Sequence, residues 1–146
     1  MPTELLTIGY EQHPTRASLI RALQAKGVER LVDVRELPLS RRPGFSKQAL
    51  SIALKRVGIA YEHHRALGNP KRYRDMYRSG RQKQGERGYW QHLNNGSYSA
   101  LKELADSLGD RRTCLLCYEG AVEGCHRALI VKALRKEQPR LAITHL

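Results

Sequence analysis

Apolar and polar positions alternate with two different periods along most of the chain. Short runs rich in apolar and β-branched residues predict five strands, and between them apolar residues that recur every three or four positions predict four helices. The predicted strands are Leu5–Tyr10, Arg30–Arg35, Ile59–His64, Thr113–Tyr118 and Ala142–Leu146. The predicted helices are Arg16–Lys26, Lys47–Val57, Ser99–Leu108 and Cys125–Lys136.

The first two predicted helices carry start and stop signals. Thr15 and Ser46 stand just before them, where a side-chain oxygen can accept a free backbone N–H of the first turn. Gly27 and Gly58 follow the same helices, as expected of residues that leave the helical conformation with positive φ. These signals support the boundaries that the apolar period predicts.

The order of strands and helices predicts the architecture. Strands that alternate with helices form a mostly parallel sheet, because each crossover connection must pack back on the sheet with one hand. We therefore expect a single compact α/β domain of three layers over residues 1–146, with about five strands and with helices on both faces. A length of 146 residues is typical of one domain.

Residues 68–96 interrupt this alternation. They show no sustained apolar period and are rich in glycine, asparagine, arginine and glutamine. We predict a long basic excursion that holds at most one helical stretch and adds no element to the core. Loops of this length in compact domains are usually functional or disordered.

The charge of the chain is strongly positive. It has 26 Lys+Arg against 14 Asp+Glu, a formal net charge of +12, and 18 of the basic residues are arginine. Guanidinium groups bind phosphate through two parallel hydrogen bonds and stack on bases. Basic residues are densest between Arg65 and Arg87, where Tyr73, Tyr77 and Tyr89 are interleaved or follow. This pattern predicts a nucleic acid or a nucleotide as the partner, and a solvated basic loop is the alternative.

The location of the protein is predicted from what the sequence lacks. The apolar runs are too short for a membrane span, and the N-terminus has no basic flank followed by an apolar stretch. We expect no membrane partner and a cytoplasmic location. Three cysteines are an odd number in a reducing compartment, which argues against a disulfide framework and raises the question of thiol or metal chemistry.

Residues whose side chains could bind a ligand or take part in a reaction stand at the ends of the predicted strands. In open α/β sheets, ligands bind outside the carboxyl ends of the strands. The segment Cys117–Arg127, with the sequence CYEGAVEGCHR, connects one strand end to the start of a helix. We expect Cys125 and His126 in the first turn of that helix, where free N–H groups and the helix dipole favour an anion and lower the pKa of a thiol.

Three interpretations of the cysteines remain open. In the first, an activated thiol at Cys117 or Cys125 faces a phosphate or another electrophile, with Glu119 as acid or base and Arg127 or Arg35 holding the anion. In the second, they bind zinc. In the third, the cysteines are small core hydrophobes and the histidine beside Cys125 caps carbonyl groups.

The zinc interpretation needs four ligands. Cys114 and Cys117, together with Cys125 and His126, supply four donors of the type that zinc prefers. Their spacing does not match that of paired zinc knuckles. Residues three apart in a strand also point to opposite faces, so we predict no metal site and no cofactor. For Cys114 the packing interpretation is the favoured one.

Four further positions are candidates. Asp33 and Arg35 lie on the same side of their strand, so they form either an ion pair or a base and a phosphate-binding cation in the crevice. Gly9 is expected to allow a close approach of the chain, and Tyr10 to line the pocket. Neither of the last two residue types is specific for one kind of chemistry.

Several short motifs occur in an order that resembles a known family. They are TIGY (Thr7–Tyr10), DVRxxPxSR (Asp33–Arg41), PGF (Pro43–Phe45), LGNP (Leu67–Pro70), LLCYE (Leu115–Glu119) and CHR (Cys125–Arg127). Together they resemble DUF488, a bacterial and archaeal family of domains of unknown function. The resemblance implies a compact α/β domain and no settled activity. It also implies a shared site made of Gly9, Tyr10, Asp33, Arg35, Pro38, Ser40, Phe45, Leu67, Gly68, Cys117, Glu119, Cys125, His126 and Arg127.

These observations lead to one hypothesis and two alternatives. The leading hypothesis is an enzyme-like domain that acts on a nucleotide or nucleic-acid ligand, with Asp33, Cys117, Glu119, Cys125 and His126 as catalytic candidates. The ligand-binding candidates are Gly9, Tyr10, Arg35, Ser40 and Arg127. The alternatives are a non-catalytic nucleic-acid-binding module and a redox sensor that uses Cys117 and Cys125.

Overall fold

The computed structural model describes residues 3–146. Its strands are β1 (Glu4–Gly9), β2 (Arg30–Asp33), β3 (Ala60–His63), β4 (Thr113–Cys117) and β5 (Ala142–His145). Its α-helices are α1 (Arg16–Ala25), α2 (Lys47–Arg56), α3 (Lys71–Arg78), α4 (Gln82–Asn95), α5 (Tyr98–Ser107) and α6 (Arg127–Glu137). Strand and helix alternate, except that three helices in succession separate β3 from β4.

The five strands form one parallel sheet in the order β3-β2-β4-β1-β5. The register pairs Gly9 with Cys117 and Asp33 with Leu116, so β1, β2 and β4 end at the same edge of the sheet. The predicted fold class is confirmed: an α/β domain on a parallel five-stranded sheet.

Each face of the sheet is covered by helices, because side chains of a strand alternate between the two faces. Leu115 of β4 belongs to an apolar cluster with α4, α5 and α6, whereas Leu116 belongs to a second cluster with α1 and α2. Cys117 lies in the first cluster and Cys114 in the second. The two cysteines are therefore on opposite faces, as their spacing predicts.

The local signals at the first two helices act in different ways. Thr15 caps α1, because its Oγ1 accepts the backbone N–H three residues further on. Ser46 holds the same position before α2, but its hydroxyl accepts the backbone N–H of Ser40 at 3.0 Å instead of capping the helix. Gly27 and Gly58 follow the helices with φ of 67° and 78°, which an L side chain rarely adopts.

The prediction that residues 68–96 add no core element is wrong. The segment forms α3 and α4, and Tyr89 and Leu93 of α4 are fully buried in the core. Gly88 lies against the ring of Tyr73, where an added Cβ would come within 2.1 Å of a ring carbon. Because the contact between the two helices uses glycine and tyrosine rather than aliphatic residues, it left no apolar period in the sequence.

None of the helices within residues 3–146 has the length and apolar character that a bilayer crossing requires. The longest of them, α4, has 14 residues. A spanning helix needs about 20 apolar residues.

Candidate functional site

A cavity of about 610 Å³ opens at the carboxyl edge of the sheet. The candidate residues that line it are Tyr10, Arg35, Ser40, Cys117, Glu119, Cys125 and His126. Gly9, Asp33 and Arg127 are not in the lining and contact residues that are. The fold thus brings together residues from the ends of β1, β2 and β4 and from the loop before α6.

A larger cavity, of about 720 Å³, lies between α1 and α2. It is lined by apolar residues such as Ile20 and Val57 and by three arginines. Among the described residues that line it there is no cysteine, histidine or carboxylate. Of these two cavities, only the one at the sheet edge is lined by cysteine, histidine and carboxylate side chains.

Gly9 shapes the loop that carries Glu119. A Cβ atom on Gly9 would lie 1.7 Å from the carbonyl oxygen of Glu119, so only glycine fits at the end of β1. The guanidinium of Arg127 donates a hydrogen bond to the same carbonyl. These contacts hold the loop after β4 against β1, with the half-buried Glu119 at the cavity.

Cys117, Cys125 and His126 form a compact buried cluster. The Nδ1 of His126 lies 3.6 Å from the Sγ of Cys125 and 3.9 Å from the Sγ of Cys117. The Nε2 of His126 lies 2.8 Å from the carbonyl oxygen of Val34. Because a carbonyl can only accept, Nε2 carries a hydrogen, and Nδ1 is the ring nitrogen that faces the two sulfur atoms. On the other side, the thiol of Cys117 lies 3.4 Å from Oε2 of Glu119.

The environment separates the pKa values of the two thiols. The hydrogen bond to Cys125, together with burial, raises the pKa of Cys117 well above its ordinary value. Burial also acts to raise the pKa of Cys125, but the hydrogen bond from Cys117 and the charges of His126 and Arg127 outweigh it and hold that pKa well below the ordinary value. The cluster therefore favours negative charge on Cys125.

The Cys125 thiolate raises the pKa values of the groups next to it. Burial lowers the pKa of His126, but the neighbouring Cys125 thiolate more than reverses this effect and the pKa is raised. Burial and the same thiolate raise the pKa of Glu119. Cys114, on the other face of the sheet, has a pKa raised by burial. Of the three thiols, only the two at the cavity have an environment that departs from simple packing.

Arg127 has a different position from the one expected of a ligand-binding residue. It is 1% exposed, its Nε lies 3.3 Å from the Sγ of Cys125, and its Nη1 lies 3.4 Å from the hydroxyl of Thr7. All of these contacts are internal, so Arg127 positions Cys125 and the loop of Glu119 rather than reaching the cavity.

The start of α6 also differs from the prediction. The helix begins at Arg127, so Cys125 and His126 precede it rather than forming its first turn. Cys125 is extended, with φ −135° and ψ 148°. Its sulfur still accepts the backbone N–H of Arg127 at 3.5 Å, one of the free donors of the first turn. The expected contact between this thiol and the helix N-terminus therefore exists in a different geometry.

Asp33 and Arg35 form a buried ion pair. The Nη2 of Arg35 lies 2.7 Å from Oδ2 of Asp33, and its Nε lies 2.9 Å from Oδ1. The hydroxyl of Tyr61 donates to the same carboxylate at 2.5 Å. Asp33 is fully buried behind the cavity, and Arg35 lines the cavity with its Nη1 3.4 Å from the hydroxyl of Tyr10. Asp33 therefore orients the arginine rather than facing a ligand itself.

The loop between β2 and α2 closes one side of the cavity. The Nη1 of Arg42 donates to the carbonyl oxygens of Tyr10 at 2.6 Å and His13 at 2.7 Å. The ring of Phe45 stacks on Tyr10 with centroids 4.7 Å apart. Ser40 lies on this loop, and its hydroxyl accepts the backbone N–H of Arg42. The loop is thereby tied to the end of β1.

The sequence did not predict that residues in and just before α3 line one side of the cavity. The additional lining residues from this region are Asn69, Arg74, Tyr77 and Arg78. The buried Oδ1 of Asn69 and the buried hydroxyl of Tyr77 have no hydrogen-bond partner in the described part of the chain. The LGNP motif and the adjoining basic run were the available signals, but neither indicated that this segment folds back on the strand ends.

The comparison with protein families shows to which family the chain belongs. Residues 15–134 match a family model described as a domain of unknown function, DUF488. The chain belongs to the DUF488 family. The comparison with curated proteins found no match, and neither did the comparison with solved structures.

The DUF488 match covers nearly the whole site. Every residue that lines the cavity, except Tyr10, lies inside the matched range of 15–134. The Cys–His cluster, Glu119, Arg35 and the arginines of α3 are therefore parts of the DUF488 domain. The resemblance drawn from the motifs is confirmed.

Proposed function

We propose that this DUF488 domain is an enzyme that acts on a phosphate-bearing ligand, a nucleotide or a segment of nucleic acid, bound in the cavity at the sheet edge. The observation that carries the proposal is a cavity lined by four arginines together with cysteine, histidine and glutamate side chains. Arg41, Arg74 and Arg78 form its more exposed rim, whereas Arg35 is as buried as the cysteines and the histidine of its floor.

The four arginines differ in how far they are already engaged. Arg35 is paired with Asp33, and Arg74 lies 2.5 Å from the carboxylate of Glu36. Arg41 and Arg78 are exposed and make no ion pair or side-chain hydrogen bond with any residue in 3–146. Two unengaged guanidinium groups at one cavity suit a phosphate, which each of them can bind through two parallel N–H groups.

The unpaired polar atoms support a ligand with its own hydrogen-bonding groups. A buried polar atom without a partner costs about 1–3 kcal/mol, which a ligand can recover by supplying the bond. The Oδ1 of Asn69 needs an N–H or O–H donor, and the hydroxyl of Tyr77 can donate or accept. A nucleotide offers phosphate to the arginines and base N–H groups to Asn69. The cavity volume of about 610 Å³ is within the usual range of small-molecule sites.

The floor provides groups that can take part in chemistry. Cys117, Glu119, Cys125 and His126 all line the cavity beneath the arginine rim. Carboxyl and imidazole groups are the ones that enzymes most often use for proton transfer. A ligand held by its phosphate at the rim would place its adjoining part against this floor.

Isothermal titration calorimetry tests the proposal. Nucleoside mono-, di- and triphosphates, pyrophosphate and short single-stranded oligonucleotides are titrated into the protein. We expect one-site binding of at least one of them, and a loss of about 10- to 100-fold in affinity in Arg78→Gln, because a hydrogen bond to a charged group contributes about 1.5–3 kcal/mol. Arg87→Gln is the matched control, since Arg87 is exposed on α4 and does not line the cavity. Absence of binding by every ligand would contradict the proposal.

A non-catalytic nucleic-acid-binding module is the second candidate. It is favoured by the exposed cations along α3, α4 and the turn between them: Lys71, Arg72, Arg78, Arg81, Lys83 and Arg87. Binding through such a surface weakens steeply and linearly on a log–log plot against salt, because phosphate neutralisation releases counterions. Equal losses in Arg78→Gln and Arg87→Gln, together with a steep salt slope, would favour the module over the cavity.

A further inference from the structure

Three potential metal ligands converge at the floor of the cavity. The sulfur atoms of Cys117 and Cys125 and a ring nitrogen of His126 all lie within 4.8 Å of one another. All three residues are buried and all three line the cavity. The three ligand atoms therefore surround one small space, which is enclosed by protein on one side and open to the cavity on the other.

The distances within this cluster suit a tetrahedral ion. With Zn–S bonds of about 2.3 Å and Zn–N bonds of about 2.05 Å, tetrahedral angles separate a sulfur from a nitrogen ligand by about 3.6 Å. The Nδ1 of His126 lies 3.6 Å from one sulfur and 3.9 Å from the other. Both nitrogen–sulfur distances are therefore within a few tenths of an ångström of the tetrahedral value, and the two sulfur atoms lie within 4.8 Å of each other.

The surroundings of the histidine resemble those of a metal ligand. A metal-bound histidine usually donates its second ring N–H to a carbonyl or carboxylate, which orients the ring. The Nε2 of His126 donates to the carbonyl of Val34 in this way. The ring is thus already held with its Nδ1 directed at the two sulfur atoms.

The charges of the cluster also suit a divalent cation. Once a metal has displaced the protons of this cluster, two thiolates and the carboxylate of Glu119 would carry three negative charges, and Arg127, at 3.3 Å from the sulfur of Cys125, carries one positive charge. A bound divalent cation would leave the group neutral. Thiolate and imidazole ligands select zinc over harder cations such as magnesium and calcium.

We propose that Cys117, Cys125 and His126 bind one zinc ion, whose fourth position faces the cavity beside Glu119. Binding releases the thiol protons to solvent and involves no change of oxidation state. Three protein ligands with an open fourth position are typical of catalytic zinc rather than structural zinc. The zinc site does not require Cys114, which lies on the other face of the sheet. It goes beyond the proposed function, because it needs no phosphate ligand.

Cobalt titration tests the site. Protein freed of metal by a chelator and kept reduced is titrated with Co²⁺, which gives an intense thiolate-to-cobalt absorption when cysteine sulfur binds it. We expect saturation at one equivalent and displacement by Zn²⁺. Cys117→Ser, Cys125→Ser and His126→Gln should each lower the affinity more than about 100-fold, beyond the 10- to 100-fold effect of outer partners. Cys114→Ser is the matched control and should bind as the parent protein does.

The result that would overturn the proposal is the absence of this absorption in the parent protein, or its full retention in Cys125→Ser. Because buried substitutions can unfold the domain, each variant is first checked by circular dichroism. X-ray absorption spectroscopy of the parent protein with one equivalent of Zn²⁺ identifies the ligand atoms without relying on any variant. We expect two sulfur ligands near 2.3 Å and one nitrogen near 2.0–2.1 Å, whereas a shell of only nitrogen and oxygen would refute the site.

The two proposals can fail separately. Metal binding is measured without any nucleotide, and the calorimetric titrations are repeated on both chelator-treated and zinc-loaded protein. Loss of phosphate-ligand binding in both forms, with intact cobalt absorption, would contradict the proposed function alone. Intact ligand binding without cobalt absorption would contradict the zinc site alone.

Discussion

Asp33 shows how one residue at a strand end can serve a site that it does not enter. Its carboxylate is fully buried and receives the guanidinium of Arg35 and the hydroxyl of Tyr61. These bonds leave one edge of Arg35 facing the cavity and Tyr10. The same strand position would have been equally suited to a catalytic base, and the buried partners decide against that role.

We expect Asp33→Asn to destabilise the fold by about 3–5 kcal/mol, because it leaves the buried guanidinium of Arg35 without a countercharge. Urea denaturation followed by circular dichroism measures the change. Asp75→Asn is the matched control: Asp75 pairs with Lys71 on the surface of α3, where both side chains are largely exposed, and its replacement should leave the stability close to that of the parent protein. Equal losses in the two variants would contradict the role assigned to the buried pair.

The contact between Gly9 and the Glu119 loop can be tested in the same way. In Gly9→Ala the new methyl group would overlap the carbonyl of Glu119, so we expect a destabilisation of about 1–3 kcal/mol and weaker ligand binding as the loop moves. Gly109→Ala, with nothing within 4 Å of the new atom, should change stability by less than about 0.5 kcal/mol. Thermal melts and calorimetry of both variants provide the comparison, and an unchanged Gly9→Ala protein would argue against a close approach.

At the scale of elements, the pair α3–α4 is the part of the fold that links the core to the site. Tyr89 of α4 is buried and donates to the carbonyl of Leu67 at 2.6 Å, which fixes the chain just before α3. The helix α3 then presents Arg74 and Arg78 to the cavity. The rim of the cavity therefore depends on how closely the two helices pack.

Gly88→Ala should separate these helices. Its Cβ would meet the ring of Tyr73 at 2.1 Å, and we expect a destabilisation of about 1–3 kcal/mol together with weaker ligand binding, because α3 carries the rim arginines. Gly96→Ala is the control in the same part of the chain, since the nearest atom to its added Cβ is 3.8 Å away. Normal stability and normal ligand affinity in Gly88→Ala would show that the two helices tolerate the added group.

At the scale of the whole molecule, the excess of positive charge leaves few acidic groups to hold distant segments together. Glu62 of the edge strand β3 is one of them: it lies 3.7 Å from Arg30, 3.2 Å from Arg111 and 2.9 Å from His64. Burial acts to raise its pKa, but the hydrogen bond from His64 and the charges of the two arginines outweigh burial and lower it below 4.5.

This shift predicts how stability depends on pH. Because the folded pKa of Glu62 lies below the unfolded value, its stabilising effect is complete above pH 4.5 and is lost as the pH falls through the folded pKa. The difference in unfolding free energy between the parent protein and Glu62→Gln should therefore be constant at higher pH and shrink below pH 4.5. Glu103→Gln, at an exposed position without an ion pair among residues 3–146, should show no such trend. Urea titrations at several pH values measure both.

The amino-acid sequence by itself determined the order of the five strands and of the helices α1, α2, α5 and α6, and which side chains of a strand share a face of the sheet. Runs such as TCLLC (Thr113–Cys117) are buried on both faces, and the period of two places Cys114 and Cys117 on opposite sides whatever surrounds them. It also determined that Asp33, Arg35, Cys117 and Glu119 stand at strand ends, because parallel strands end at one edge. These features follow from local geometry and from the burial of apolar side chains.

Only the tertiary structure decided what those strand ends contact. The pairing of β1 and β2 with β4 brings the Val34 carbonyl to His126 and Gly9 to Glu119, across separations of 92 and 110 residues along the chain. The packing of α3 on α4 through Gly88 brings Arg78 to the same cavity. Periodicity describes how one segment buries its own face and carries no information about which distant atoms meet it, so these contacts arise only when the packed layers fix the register between segments.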